Sequence, residues 1–224
     1  MTVNHPKSDV YFLYEDSING QYPLFDRVIA RQSAEVYLDS EGKILTKIYD
    51  PERLLRVLFP NRAEDITTSS RLIADKTNEH LVKFEYWMLR YLTEQTDIPV
   101  PKVFGEVTKV SDPRADDPTS AGEVWTINKE YLTGIPGDKF LTSQEARNTN
   151  PDQHSQALND LEALQSRVSV ILNDQATFFR YLKSQQIPET EIETIMQGMN
   201  RHSNEADQQK QYILTENGWS LIDP

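Results

Sequence analysis

The order of strand-like and helix-like segments predicts an α+β fold. The first half of the chain is rich in β-forming runs and carries one long helix-like segment, residues 151 to 202 have helical patterning, and a short pair of strands closes the chain. Strands that are grouped apart from helices are typical of α+β domains. A chain of 224 residues is long enough for one large domain or for two small lobes with a hydrophobic core.

The first sheet-forming region follows a polar segment, residues 1–24, which is expected to be an N-terminal arm. Beyond it, β-rich runs occupy 27–30, 35–39 and 44–49, and the turn sequence DSEGK separates the last two. The next segment, PERLLRVLF, begins with proline, as first turns of helices often do, and predicts a short helix. The polar sequence PNRAEDITTSS then predicts a loop.

A long helix is predicted over NEHLVKFEYWMLRYLTEQ. Its apolar residues recur at spacings of three and four, which places them on one face: Leu81, Phe84, Met88 and Leu92. Asn78 is expected to be the N-cap, because an asparagine side chain can accept a hydrogen bond from the first free N–H groups of a helix.

Two prolines, Pro99 and Pro101, interrupt the apolar run that follows this helix. Proline lacks the N–H group and has a fixed φ, so neither a helix interior nor a central strand is expected here. We expect a connector that leads from the helix back to the sheet. The runs KVFGEVTKV and VWTINKEYL, around a loop rich in proline and aspartate, predict a second hairpin, and YIL and WSLID around TENG predict a third.

Composition limits the classes of partner and location. The net charge is −12, from 35 acidic and 23 basic residues, and no basic stripe is present, which argues against nucleic acid as the main partner. The absence of cysteine excludes disulfides and thiolate metal sites. No apolar run approaches the roughly 20 residues that cross a bilayer. The first residues also lack the features of a signal peptide, so we expect a cytoplasmic protein that does not enter a membrane.

Four charged residues lie where phosphoryl transfer could use them. Lys47 interrupts an apolar strand, Glu85 lies beside the apolar face of the long helix, Asp223 follows the strand WSLI, and Asp207 precedes QQKQYIL. Phosphoryl transfer uses a lysine on the phosphates, a glutamate that holds it, a carboxylate on magnesium and a carboxylate that orients the attacking hydroxyl. Each residue also has a simpler interpretation: Lys47 could extend to solvent from a sheet edge, and Glu85 could be a solvated helix residue.

The segments KILTKIYD, FEYWMLRYL, TEQTDIPVPKVFGEV and INKEYLTGIPGDKFL occur in the order of a known family. Together they resemble the small lobe and hinge of the aminoglycoside-phosphotransferase-like branch of the protein-kinase superfamily. The closing ILTENGWSLIDP resembles the stretch from the catalytic loop to the metal-binding aspartate. The resemblance implies a protein-kinase-like two-lobe fold, with a small lobe and hinge over 25–132 and a partial helical large lobe over 133–224.

The resemblance also implies a role for each candidate residue, with ATP and Mg²⁺ as cofactors. Lys47 is then the phosphate lysine, Glu85 its partner on the helix, Asp207 the catalytic aspartate and Asp223 the metal ligand. The hinge backbone that would meet adenine consists of Glu130, Tyr131 and Leu132. The implied substrate is a hydroxyl of a small molecule or of a protein.

The predicted catalytic loop departs from the H-x-D pattern of the family, in which an Asn follows the Asp by five residues. If YIL is the anchor, Asp207 is the catalytic aspartate, Glu205 replaces the histidine and Tyr212 replaces the metal-binding asparagine. If HSN is the anchor instead, His202 matches the histidine of the family. Asn204 then replaces the catalytic aspartate, and Gln209 replaces the metal-binding asparagine. ARQSAEVY, residues 30–37, also lacks the glycines expected of a phosphate-binding loop.

Three hypotheses follow from these observations. The first is an ATP-dependent phosphotransferase of the aminoglycoside- or choline-kinase-like type, with weak or absent activity in this chain. The second is a pseudokinase, a catalytically degenerate kinase-like protein that binds a protein partner or a second copy of itself. The third is an unrelated α+β domain in which the order of the motifs is a coincidence.

Overall fold

The computed structural model describes residues 27–30, 34–39, 43–58, 67–113, 122–143, 147–148, 150–202 and 211–222. Within these ranges the chain forms an antiparallel five-stranded sheet, a three-stranded sheet and six helices. The predicted α+β class is therefore confirmed.

The five-stranded sheet consists of β1 (Arg27–Ala30), β2 (Glu35–Leu38), β3 (Ile44–Tyr49), β4 (Val103–Ser111) and β5 (Glu123–Glu130). Its spatial order is β1-β2-β3-β5-β4, and each neighbouring pair is antiparallel. The strand runs and the second hairpin predicted from the sequence are confirmed. The order places β3 in the interior of the sheet, between β2 and β5.

The smaller sheet consists of β6 (Ile135–Pro136), β7 (Tyr212–Thr215) and β8 (Gly218–Leu221), in the order β6-β7-β8. β7 and β8 form the predicted third hairpin, joined by the turn residues 216–217. Gly218, which follows this turn, has a φ of +105°, a conformation that glycine adopts at little cost. The N-G pair of the sequence thus marked a tight turn correctly.

The six helices are α1 (Pro51–Leu58), α2 (Thr68–Gln95), α3 (Gly137–Thr142), α4 (Pro151–Asn173), α5 (Gln175–Ser184) and α6 (Glu189–His202). The short helix from Pro51 and the helical stretch from 151 to 202 agree with the sequence prediction. No helix in the described ranges is both long and apolar enough to span a membrane.

Helix α2 begins earlier than predicted. Its N-cap is Thr67, whose side chain accepts a hydrogen bond from the backbone N–H of Ser70 at 3.1 Å, while the Ser70 hydroxyl accepts from the Thr67 N–H. The prediction of Asn78 as the N-cap was wrong, since Asn78 is a fully buried residue inside the helix. The hydroxyl residues that suggested a loop form a capping box instead.

Helix α2 packs between two layers, so it is buried on two faces. One face contacts the five-stranded sheet through Val82, Tyr86 and Leu89. The other face contacts the helical layer of α4, α5 and α6 through Phe84, Met88 and Leu92. The predicted apolar stripe contains the second face, Phe84, Met88 and Leu92, together with Leu81, which packs on the sheet side. Residues of the two faces interleave along the helix, so the spacing did not separate them.

The proline-rich connector after α2 joins the two sheets. The carbonyl oxygen of Pro99 accepts a hydrogen bond from the Leu221 N–H of β8 at 2.9 Å, and the carbonyl oxygen of Lys102 accepts one from the Glu130 N–H of β5 at 2.7 Å. β4 then begins at Val103. The predicted connector is confirmed, and Pro99, which has no N–H group, still contributes its carbonyl oxygen to the link with β8.

Candidate functional site

Lys47 lies in the interior strand β3 with only 5% of its surface exposed. A buried ammonium group requires a partner, because the loss of its hydration is costly. The partner is Glu85 of α2, whose Oε2 lies 2.8 Å from Lys47 Nζ. The simpler interpretation of Lys47 as a residue at a sheet edge is therefore wrong.

Glu85 is 1% exposed and is held from several directions. Its Oε2 accepts hydrogen bonds from Lys47 and from the Tyr49 hydroxyl, and its Oε1 accepts from Lys129 Nζ at 2.5 Å. The interpretation of Glu85 as a solvated helix residue is wrong, and the structure brings Lys47 and Glu85 together as the predicted pair requires.

Lys129 is the residue of this cluster that sequence reasoning missed. It lies in β5, is 5% exposed, and donates a second hydrogen bond, of 2.8 Å, to the carbonyl oxygen of Ile222. The signal was available: Lys129 follows Ile127 by two residues, and residues two apart in a strand point to the same face. An apolar residue such as Ile127 is expected to be buried, so alternation predicts Lys129 on the same inner face.

A cleft adjoins this charged cluster, between the five-stranded sheet and the end of β8. Its cavity volume is only about 10 Å³, room for one water molecule, so the lining side chains are nearly in contact across it. The cleft is lined by Val36, Leu45, Lys47, Pro101, Lys129, Glu130, Leu132 and Ile222. If the lining side chains move apart, an apolar wall with two ammonium groups on one side can contact a ligand that has an apolar part and an anionic part.

The apolar wall of the cleft joins the two sheets. Val36 of β2 and Leu45 of β3 form one buried cluster with Ile213 of β7 and Ile222. Tyr131 and Leu132 pack against the same cluster. The width of the cleft is therefore set by side chains that come from both sheets and from the segment between β5 and β6.

The three predicted hinge residues differ in the availability of their amide groups. The N–H of Glu130 donates to Lys102, and the N–H of Tyr131 donates to the carbonyl oxygen of Lys43 at 2.9 Å. Within the described ranges the N–H of Leu132 donates to no protein group, and Leu132 lines the cleft. Of the three amides, the one of Leu132 can therefore bind a ligand without breaking a hydrogen bond of the fold.

Both predicted catalytic and metal-binding aspartates, Asp207 and Asp223, lie outside the described residues. So do Glu205, Asn204 and Gln209, and His202 is the last residue of α6. The two alignments of the catalytic loop therefore both stay open. Ile222, which directly precedes Asp223, is the last described residue. Its carbonyl oxygen accepts a hydrogen bond from Lys129 Nζ.

Of the residues predicted to hold magnesium in either alignment, Tyr212 alone lies within the described part of the chain. Tyr212, which replaces the metal-binding asparagine in the alignment anchored on YIL, is fully buried among the core residues of the helical layer. Mg²⁺ prefers hard oxygen ligands such as backbone carbonyls. The carbonyl oxygen of Ile222 is one such ligand, and it already accepts a hydrogen bond from the Lys129 ammonium group. Among the residues with described positions, no three acidic or histidine side chains lie together.

The chain was compared with models of protein families, with curated proteins and with solved structures, and none of the three comparisons finds a match. The kinase-like resemblance, the division into lobes at residue 132 and the roles of the site residues therefore stay predictions. The geometry of the cleft is the physical basis for a functional proposal.

Proposed function

We propose that the protein is an ATP-dependent phosphotransferase of the kinase-like type, with its nucleotide in the cleft between the two sheets. The observation that carries this proposal is the buried ion pair of Lys47 with Glu85, 2.8 Å long, at the wall of that cleft. A single long helix between the third and fourth strands of an antiparallel sheet also agrees with the small lobe that the resemblance implies.

Each part of the cleft suits one part of a nucleotide. The apolar side chains of Val36, Leu45 and Ile222 can pack against the base, and the N–H of Leu132 can donate to a ring nitrogen. Lys47 can donate to a phosphate oxygen, as the phosphate lysine does in kinase-like enzymes. Glu85 orients Lys47 for this contact through the hydrogen bond between them.

The proposed reaction transfers the γ-phosphoryl group to a hydroxyl. The acceptor oxygen forms a bond to the γ-phosphorus, the bond from that phosphorus to the bridging oxygen breaks, and ADP leaves with the electron pair. Asp207 is the predicted acceptor of the hydroxyl proton. Asp223 stays the predicted ligand of Mg²⁺. The acceptor is a small molecule or a protein, since the net charge of −12 disfavours nucleic acid.

The test is calorimetric titration of the purified chain with ATP, together with an assay for transfer of the γ-phosphoryl group. We expect wild-type protein to bind ATP, and Lys47→Met to weaken binding roughly 10- to 100-fold, the range for loss of a hydrogen bond from a charged donor. Lys109→Met is the matched control, because Lys109 lies in β4, pairs with Asp75 at 2.7 Å and does not line the cleft. Equal ATP affinity in Lys47→Met and wild type would refute the assignment.

A second candidate is the pseudokinase, which uses a kinase-like shape to bind a partner. Burial of Tyr212 in the core favours it, because this side chain cannot take over the role of a metal-binding asparagine. The phosphoryl-transfer assay separates the two candidates. ATP turnover that Asp207→Ala abolishes supports the phosphotransferase, whereas ATP binding with no transfer to any hydroxyl supports the pseudokinase.

A further inference from the structure

The cleft beside the charged cluster is filled by its own side chains. Its cavity volume is about 10 Å³, whereas a pocket for a cofactor or a similar small molecule encloses roughly 300–1,000 Å³. A nucleotide can therefore bind only if side chains that now occupy the cleft give way. The identity of those side chains decides which ligands the cleft accepts.

Leu45 adjoins both lysines of the cleft. It precedes Lys47 by two residues in β3, so the two side chains point to the same face of the sheet, about 7 Å apart along the strand. It also pairs directly with Lys129 of β5, which places their Cβ atoms about 5 Å apart. A ligand whose anionic part contacts either ammonium group therefore has Leu45 beside it.

Helix α2 closes the other direction along β3. Tyr49, two residues beyond Lys47 on the same face, is 3% exposed and packs in one cluster with residues of α2 such as Val82. Ile127, which pairs with Lys47 across the ladder, belongs to the same cluster. The apolar part of a ligand held at Lys47 therefore has to extend towards Leu45 rather than towards Tyr49.

The side chain of Leu45 closes this space together with the smaller sheet. Leu45 is 3% exposed and belongs to one buried cluster with Val36 of β2, Ile213 of β7 and Ile222. The cluster spans the cleft, because its members come from both sheets. Of the two members that the five-stranded sheet contributes, Leu45 is the larger and adjoins both lysines. Burial of these apolar side chains stabilises the closed cleft.

We propose that Leu45 is a plug: it occupies the position of the ligand's apolar part and so limits the affinity of the cleft for a nucleotide. This inference rests on the nucleotide cleft of the proposed function and names the residue that determines its specificity. A ligand that binds only the open form has an apparent dissociation constant equal to the intrinsic one divided by the open fraction. Truncation of Leu45 removes closing contacts and leaves room for a base, so it should raise the affinity.

The experiment is calorimetric titration of the full chain with ATP in the presence of Mg²⁺. Leu45→Ala should bind ATP about tenfold or more tightly than wild type, a change of about 1.4 kcal/mol. Leu172→Ala is the matched control and should bind ATP like wild type. Leu172 is 4% exposed, packs in the helical layer and does not line the cleft, so this variant loses the same atoms from a core elsewhere.

A second titration uses indole, a ring of about the size of a nucleobase without phosphate, so that this inference and the proposed function can fail separately. If wild type binds ATP and Leu45→Ala binds it no more tightly, or if Leu172→Ala gains as much affinity, the proposed function stands and the plug is refuted. ATP binding by Leu45→Ala alone supports both.

If neither wild type nor Leu45→Ala binds ATP, the proposed function falls and indole decides the role of Leu45. The plug then stands if indole shifts NMR signals of cleft residues such as Leu132 in Leu45→Ala but not in wild type, and it is overturned if the two proteins respond alike. Should Leu45→Ala not fold, Leu45→Val, which removes one methylene group, is measured in its place. The expected gain is smaller, and the same outcomes decide.

Discussion

Replacement of Glu85 by glutamine tests the charged cluster directly. Glutamine has nearly the same shape as glutamate but no charge, so Lys47 and Lys129 would lose the carboxylate that both contact. The Glu85 side chain is 2% exposed and each lysine side chain is 6% exposed, so water cannot replace the lost interactions. Removal of one partner from a buried ion pair costs about 3–5 kcal/mol. We therefore expect Glu85→Gln to lower the free energy of unfolding by about this amount.

A loss of this size is large beside the stability of a typical domain, which is about 5–15 kcal/mol. Urea unfolding at pH 7, followed by the fluorescence of the three tryptophans, measures it. Glu79→Gln is the control on the same helix, because Glu79 pairs with Lys83 at 3.0 Å across one helical turn in a more exposed position. Such a pair contributes about 0.3–0.5 kcal/mol. If Glu85→Gln destabilised the protein no more than Glu79→Gln, the inferred contribution of the buried cluster would be refuted.

Two further predictions concern the helical layer. A Cβ atom at Gly198 would lie 2.3 Å from the His80 carbonyl oxygen, so Gly198→Ala should lower the free energy of unfolding in urea by about 1–3 kcal/mol. Gln197 is exposed on the same helix, so Gln197→Ala is the control and should leave the stability unchanged. Equal stability of the two variants would contradict a close contact between α2 and α6. Burial, and then the hydrogen bond to Glu94, raise the pKa of Tyr181 well above its usual value near 10. Because the pKa of Tyr181 is higher in the folded than in the unfolded protein, the neutral side chain stabilises the fold fully below the unfolded-state pKa. This stabilisation is lost as the pH rises from the unfolded-state pKa towards the folded-state pKa. Wild type should therefore lose stability between pH 9 and 11 more steeply than Tyr181→Phe, and parallel curves would exclude this role.

Sequence reasoning located two of the three charged residues of the buried cluster. Lys47 and Glu85 stood out because each interrupts or borders an apolar pattern, and both proved to be buried and paired. Lys129 does not stand out in the sequence, because it lies beside the polar residues Asn128 and Glu130 in a segment that resembles the approach to a hinge. Its inward direction follows from strand alternation, but its partners, Glu85 and Ile222, are 44 and 93 residues away in the chain.

The start of α2 was missed for a different reason. Threonine and serine favour turns and helix caps about equally, since their hydroxyl groups can bond to nearby backbone in either setting. The polar run before α2 therefore fitted a loop as well as a capping box. Packing of α2 on both faces, through Val82 and Phe84 among others, stabilises the longer helix.

The sequence by itself determined the strands, the three hairpins, the proline connector and most of the helices. These depend on interactions between residues close in the chain: the alternation of apolar residues, turn sequences such as N-G, and the limits that proline sets on the backbone. Only the tertiary structure decided that β3, β5, α2 and the end of β8 meet, so that two lysines share one carboxylate beside a cleft. That meeting depends on how apolar surfaces far apart in the chain are buried together, and local sequence patterns do not specify which distant surfaces pair.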